Sequence, residues 1–159
     1  RNVYERNRAL RLLVLESPIT YREIENWESL IEQEEMTPKE LMPRGRRTDS
    51  ELSRMRSKIR KTVRYIKGME AKIVQANAEL ERAVSESKRN SFKLRLYNFK
   101  KAILEKIIDL NLNQEKIKRV TNKIKNLSIR IRECEAEVVR YEQNVGMPCK
   151  EFLALYASA

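Results

Sequence analysis

Apolar residues return along most of this chain at steps of three and four, the spacing that places them on one face of a helix. The first run, "ALRLLVL" over residues 9–15, is apolar nearly all round and ends at Ser17, because Pro18 disfavours helical geometry in the residue before it. "TYRE" at 20–23 then reads as a helix start, with Thr20 and Glu23 forming a capping box. Tyr21, Ile24, Trp27, Leu30 and Ile31 share one side of that helix, while Glu25, Glu28 and Glu32 fall on the other. "TPKE" at 37–40 repeats the start signal, with Pro38 at the tolerated first position, for a turn or two before Pro43.

The third helix carries a heptad stripe. Leu52, Ile59, Ile66, Ile73 and Leu80 recur every seven residues, with Met55, Val63, Met69, Ala76 and Ala83 or Val84 between them. Thr48, Asp49 and Ser50 compete to cap it, and Glu51 can complete a box. "SESKRNS" at 85–91 is polar and predicts a break, after which Phe92, Leu96, Phe99, Ile103, Ile107 and Leu110 mark a fourth helix. Asn113 can cap the next helix, with Leu112 and Ile117 as a hydrophobic staple. There Ile117, Val120, Ile124, Leu127, Ile131, Cys134, Val138, Tyr141 and Val145 keep the rhythm without a miss, so all nine are expected in the core. Gly146 supplies a left-handed stop and Pro148 opens a last short helix with Phe152, Leu153 and Tyr156.

These signals predict an all-α fold: an elongated helical bundle with long coiled-coil-like helices at about 1–16, 20–35, 50–85, 91–110, 114–145 and 148–157. We expect one domain over 1–159, cut from a larger protein because the chain opens on Arg rather than Met. Nine core positions at roughly 1.5–3 kcal/mol each outweigh surface ion pairs, so the stripes decide the architecture. The charges are left for other work.

With only three Gly and four Pro among 159 residues, turns are few and each serves a long element. The net charge of +11 is segregated. Residues 16–40 hold eight Glu against Arg22 and Lys39, whereas residues 44–72 hold eleven cations against three carboxylates. That contrast gives either a face for a polyanion or acidic partner, or two parts of the fold that attract each other. The candidate contact residues are Arg44, Arg46 and Arg47 in the "MPRGRRTDSEL" turn, continued by Arg54, Lys58, Lys61 and Arg64 along the third helix. Arg56 and Arg60 lie round its side. Tyr65 is the ring nearest this basic stretch, so single-strand stacking is not written into it.

Catalytic chemistry has no visible carrier. The chain has no His, no Gly-rich phosphate loop and no metal-ligand pair, and its two cysteines, Cys134 and Cys149, lack CxxC spacing. We therefore expect a non-enzyme with no cofactor and no metal, in a reducing, cytoplasmic setting. No apolar run is long enough to span a bilayer.

Three stretches in order, "EMTPKELMPRGRRTDSELSRM" (35–55), "EKIIDLNLNQEKIKRVTNKIK" (105–125) and "ECEAEVVRYEQNVGMPCKEFL" (133–153), carry a resemblance. From residue 9 onward the chain resembles the non-conserved region of bacterial primary sigma factors, the helical insert between the first two conserved promoter-recognition regions. That resemblance implies a non-catalytic module in transcription initiation. The family's insert packs beside the region that melts the upstream edge of the −10 element. It also touches the clamp of the largest catalytic subunit of core RNA polymerase and influences promoter escape. Promoter DNA would then be engaged through the full-length protein, with weak phosphate contacts here, and the fragment is expected to be monomeric. This chain departs from members with a long acidic tract, having only a short acidic run at Glu32, Glu34 and Glu35. Read from the residues alone, two other roles stay open: a basic helical arm for nucleic-acid phosphates, and a self-associating structural coiled coil.

Overall fold

Short breaks divide the chain into helices in the computed structural model, which describes residues 2–158. They are α1 (Asn2–Glu16), α2 (Pro18–Glu32), α3 (Asp49–Arg82), α4 (Glu86–Asp109), α5 (Gln114–Val145) and α6 (Cys149–Ser158), with a 3-10 turn at Pro38–Leu41. No strand occurs among the described residues, and the fold is the all-α helical bundle that the spacing predicts. Residue 1, the first of the expected helix 1–16, lies outside the described residues. Contacts group the chain into two compact units, Arg1–Val120 and Thr121–Ala159.

The first unit is organised by α3 and α4. The connection between them is short, and they run antiparallel: Glu79 meets Arg95 near the turn, Tyr65 lies under Lys106, and Lys58 pairs with Asp109 at the far end. Between those pairs Ile59, Ile66, Ile103 and Ile107 are almost completely buried. Each such side chain contributes roughly 1.5–3 kcal/mol on leaving water. α2 packs on α3, and α1 packs on α4 and α2. Tyr21, Ile24, Trp27 and Ile31 form the buried face of α2, as its spacing predicts.

The α1–α2 corner departs from expectation. α2 begins at Pro18, with the Ser17 hydroxyl accepting from the Ile19 amide at 3.2 Å. Pro18 needs no amide partner in the first turn, so the helix starts two residues before Thr20. Thr20 is therefore not a cap but a buried side chain whose hydroxyl donates to the Val14 carbonyl across the corner. α4 likewise starts at Glu86 rather than 91, because the polar stretch 85–91 is an exposed helical turn and not a loop. At α3 the competition for the cap is won by Thr48: its hydroxyl accepts from the Glu51 amide at 3.2 Å, and Glu51 accepts from the Thr48 amide at 2.8 Å.

The turn between α4 and α5 is fixed from several sides. Asn113 Oδ1 accepts from the Glu115 amide at 2.8 Å, while the Asn113 amide donates to the Leu41 carbonyl at 2.7 Å. Leu112 and Ile117 are both buried there. Lys116 lies 6.0 Å from the Trp27 ring centre and 3.6 Å from Glu40, tying the first turn of α5 to α2 and the 3-10 turn.

In the second unit, Gly146 takes φ +70° and donates to the Glu142 carbonyl at 2.8 Å, which ends α5. The Glu142 carboxylate accepts from the Cys149 amide at 2.8 Å and so holds the start of α6. Here a larger expectation fails. Of the nine α5 positions expected in the core, only Ile117 and Val120 are buried. Ile124 and Leu127 are half-buried, and Ile131, Cys134, Val138, Tyr141 and Val145 are exposed. A regular stripe marks a face able to pack on a helix. It carries no information on whether that helix belongs to the same molecule.

Two substitutions test this distribution. Ile66→Ala should cost about 2–5 kcal/mol in urea unfolding, whereas Leu94→Ala, at an exposed site on α4, should stay within about 0.5 kcal/mol. Gly68 sits inside α3 with open space where a Cβ would stand. Gly68→Ala should therefore raise stability by roughly 0.5–1 kcal/mol in the same measurement.

Candidate interaction surface

The arginine turn is a loop over 42–48 that leads into the capped start of α3. Gly45 takes φ +148°, a backbone conformation costly for residues with a Cβ, which lets the loop fold back before Thr48. Arg47 does not reach outward. Its Nη2 donates to the Pro43 carbonyl at 2.9 Å, and Nη1 lies 3.6 Å from Glu51. Its Nε is buried with no partner. Arg47 is a strut inside the loop. Arg44 and Arg46, by contrast, are exposed and make no ion pair among the described residues.

Arg54 and Lys58 continue from the loop along α3. With Arg47, Met42, Met55 and the α4–α5 turn they line an open hollow of 340 Å³. Lys58 is committed there: Nζ lies 3.0 Å from the Asp109 carboxylate and donates also to the Asp109 carbonyl at the end of α4. A cation at a helix C-terminus is favoured by the unpaired carbonyls there. Lys61 and Arg64 are exposed further along α3, without ion pairs among the described residues. Five of the seven candidate residues, Arg44, Arg46, Arg54, Lys61 and Arg64, are therefore available to a partner, and two are used internally.

The charge contrast is also internal in part. Arg56 Nε lies 3.3 Å from Glu32, and Arg60 Nη2 lies 2.6 Å from the same carboxylate, so acidic α2 is clamped to basic α3. Hydrogen bonds from Arg60 and then Arg56 hold the Glu32 carboxyl below its ordinary pKa, and the same contact raises that of Arg60. The Glu51 carboxyl is lowered as well, first by the Thr48 amide and hydroxyl and then by Arg47. Burial leads the upward shift of Tyr21, reinforced by Glu16 and Glu70.

Nothing in the sequence marks Glu32 and Asp109 as the partners that consume cations; a charge balance by segment does not say which carboxylate meets which cation. A further cationic surface lies on the outer face of α4. There Lys93, Lys100 and Lys101 flank Tyr97 on one face, and Tyr97 is 62% exposed. Their i, i+3 and i, i+4 spacing was the available signal.

Among the described residues no group of three or more Cys, Asp or Glu side chains is placed to hold a metal ion. No helix there is long and apolar enough to cross a membrane. Compared with known proteins, the chain matches no family model, no curated protein and no solved structure.

The Glu32 clamp predicts acid sensitivity. Its carboxyl titrates lower in the folded than in the unfolded chain. The stability it lends is therefore present at neutral pH and is lost as pH falls from the ordinary value of 4.5 through the folded value. Glu32→Gln should lower the melting temperature at pH 7 and make its fall between pH 5 and 3 shallower, as followed by circular dichroism.

Proposed function

We propose that this chain is a non-catalytic docking module of a primary sigma factor, working in the cytoplasm during transcription initiation and promoter escape. Its partner would be the clamp of the largest catalytic subunit of core RNA polymerase, with promoter DNA engaged by the rest of the full-length protein. The order of the three quoted stretches supports the family. The observation that carries the docking role is the division among the arginines. Arg47, Arg56 and Arg60 are spent on carboxylates of the same chain, while Arg44 and Arg46 stand on the same loop as Arg47 with nothing to neutralise them. Exposed, unpaired guanidinium groups on a loop held by a cap and a strut suit recognition of an acidic protein surface.

A second reading has its own support. Arg54, Lys61 and Arg64 on α3, with Lys93, Lys100 and Lys101 on α4, are exposed cations that can neutralise phosphates without reading sequence. On that reading the chain is a basic helical arm for nucleic acid.

One experiment separates them. In the full-length protein, Arg44→Glu with Arg46→Glu should reduce crosslinking to the largest polymerase subunit and change the rate of promoter escape, with folding unchanged by circular dichroism. Unaltered crosslinking and escape would refute the docking role. If duplex binding by the wild-type chain falls steeply between 50 and 200 mM salt, by roughly 10³-fold or more, the phosphate-binding arm is the better account.

A further inference from the structure

The second unit leaves an apolar stripe uncovered on one side of α5. Ile131 is 58% exposed and Tyr141 is 65% exposed, and Leu127, Ile131, Cys134, Val138 and Val139 line a shallow groove of 570 Å³. An uncovered apolar stripe along a helix is a candidate interaction surface. The stripe is half-buried at Ile124 and Leu127 and exposed from Ile131 to Tyr141. Before it Val120 is buried; at its far end Tyr141, Val145 and Phe152 border a small hollow beside α6.

The charges along the same helix are polarised. Residues 116–132 carry seven cations and no carboxylate, whereas residues 133–142 carry four Glu and one Arg. Two copies laid antiparallel therefore place the basic half of each beside the acidic half of the other. The stripe has a register that does this without a gap. Ile124 meets Tyr141 of the second copy, Leu127 meets Val138, and Ile131 meets Cys134, each layer occurring twice about the two-fold axis. Flanking them, Arg130 faces Glu137 of the second copy, again twice, and no like charges oppose each other. A parallel pair does worse: it sets Glu137 against Glu142 and stacks Cys134 on itself. The overlap of residues 124–141 is about 27 Å of helix.

We infer that α5 is an antiparallel dimer seam, with a second copy of this chain as its occupant. This replaces the expected monomer. It uses residues of the second unit only and stands apart from the polymerase reading, so either can fail without the other. Arg130 and Glu137 are both exposed and make no ion pair among the described residues, which makes them suitable probes that leave the fold intact.

The test is sedimentation of the whole chain at high micromolar concentration with charge-reversal variants. The wild type should sediment as a dimer. Arg130→Glu alone and Glu137→Arg alone should each weaken the dimer at least about tenfold, from two lost pairs and two repulsions, and the double variant should restore it. As a check on register, Ile131→Cys in a Cys149→Ser background should crosslink through native Cys134 on mild oxidation, while Cys149→Ser alone should not. A wild-type monomer overturns the inference. So does a dimer that ignores both single reversals, or one that crosslinks through Cys134 without the added cysteine.

Discussion

The antiparallel contact of α3 with α4 is the constraint on which the first unit depends. Ile59 and Ile66 on one helix and Ile103 and Ile107 on the other lie within 1% of full burial. They fix the helix rotation that decides every other placement. With that face inward, Arg56 and Arg60 are turned toward Glu32 on α2, Lys58 toward the end of α4, and Lys61 and Arg64 to solvent. The charge pattern is read out by the packing and does not create it. Exposed ion pairs contribute about 0.2–1 kcal/mol each, well below one buried isoleucine.

That hierarchy explains what the arginine turn can do. Its position is set by the Thr48–Glu51 cap, by Gly45, and by Arg47 bonded back to Pro43. A loop immobilised in this way presents Arg44 and Arg46 with little further ordering needed on binding, which favours affinity. The same loop borders the open hollow beside Arg54 and Lys58, so a partner could bury apolar and cationic surface together.

Much of this was legible in the residues, and the failures have physical causes. The buried faces of α2 and α3 follow directly from spacing, because an amphipathic helix must turn its apolar side to the core. The cap at Asn113 was legible because few side chains can accept from a free helix amide, whereas at α3 three adjacent residues carried that chemistry and the structure selects Thr48. At the Ser17 corner the sequence points to the wrong cap, since Thr20 carries the same chemistry but sits where a buried backbone carbonyl needs a donor. The start of α4 is hidden in the sequence because polar residues on an exposed helical turn look like a linker. On α5 the pattern predicts an internal face, yet most of that face is exposed; period alone cannot name a partner. The candidate cations were found by charge, but their division into struts and free groups required the positions of Glu32, Glu51 and Asp109.

Hydrogen–deuterium exchange of the whole chain at two protein concentrations tests the account most directly, since one measurement reads both packing faces. Amides of α3 over 55–66 and of α4 over 99–109 should exchange slowly and equally at low and high concentration, because their cover is intramolecular. Amides of α5 over 124–141 should exchange fast when dilute and slow down as the chain is concentrated. Strong, concentration-independent protection of 124–141 would mean that the stripe is covered within one molecule, and would contradict the division of faces described above.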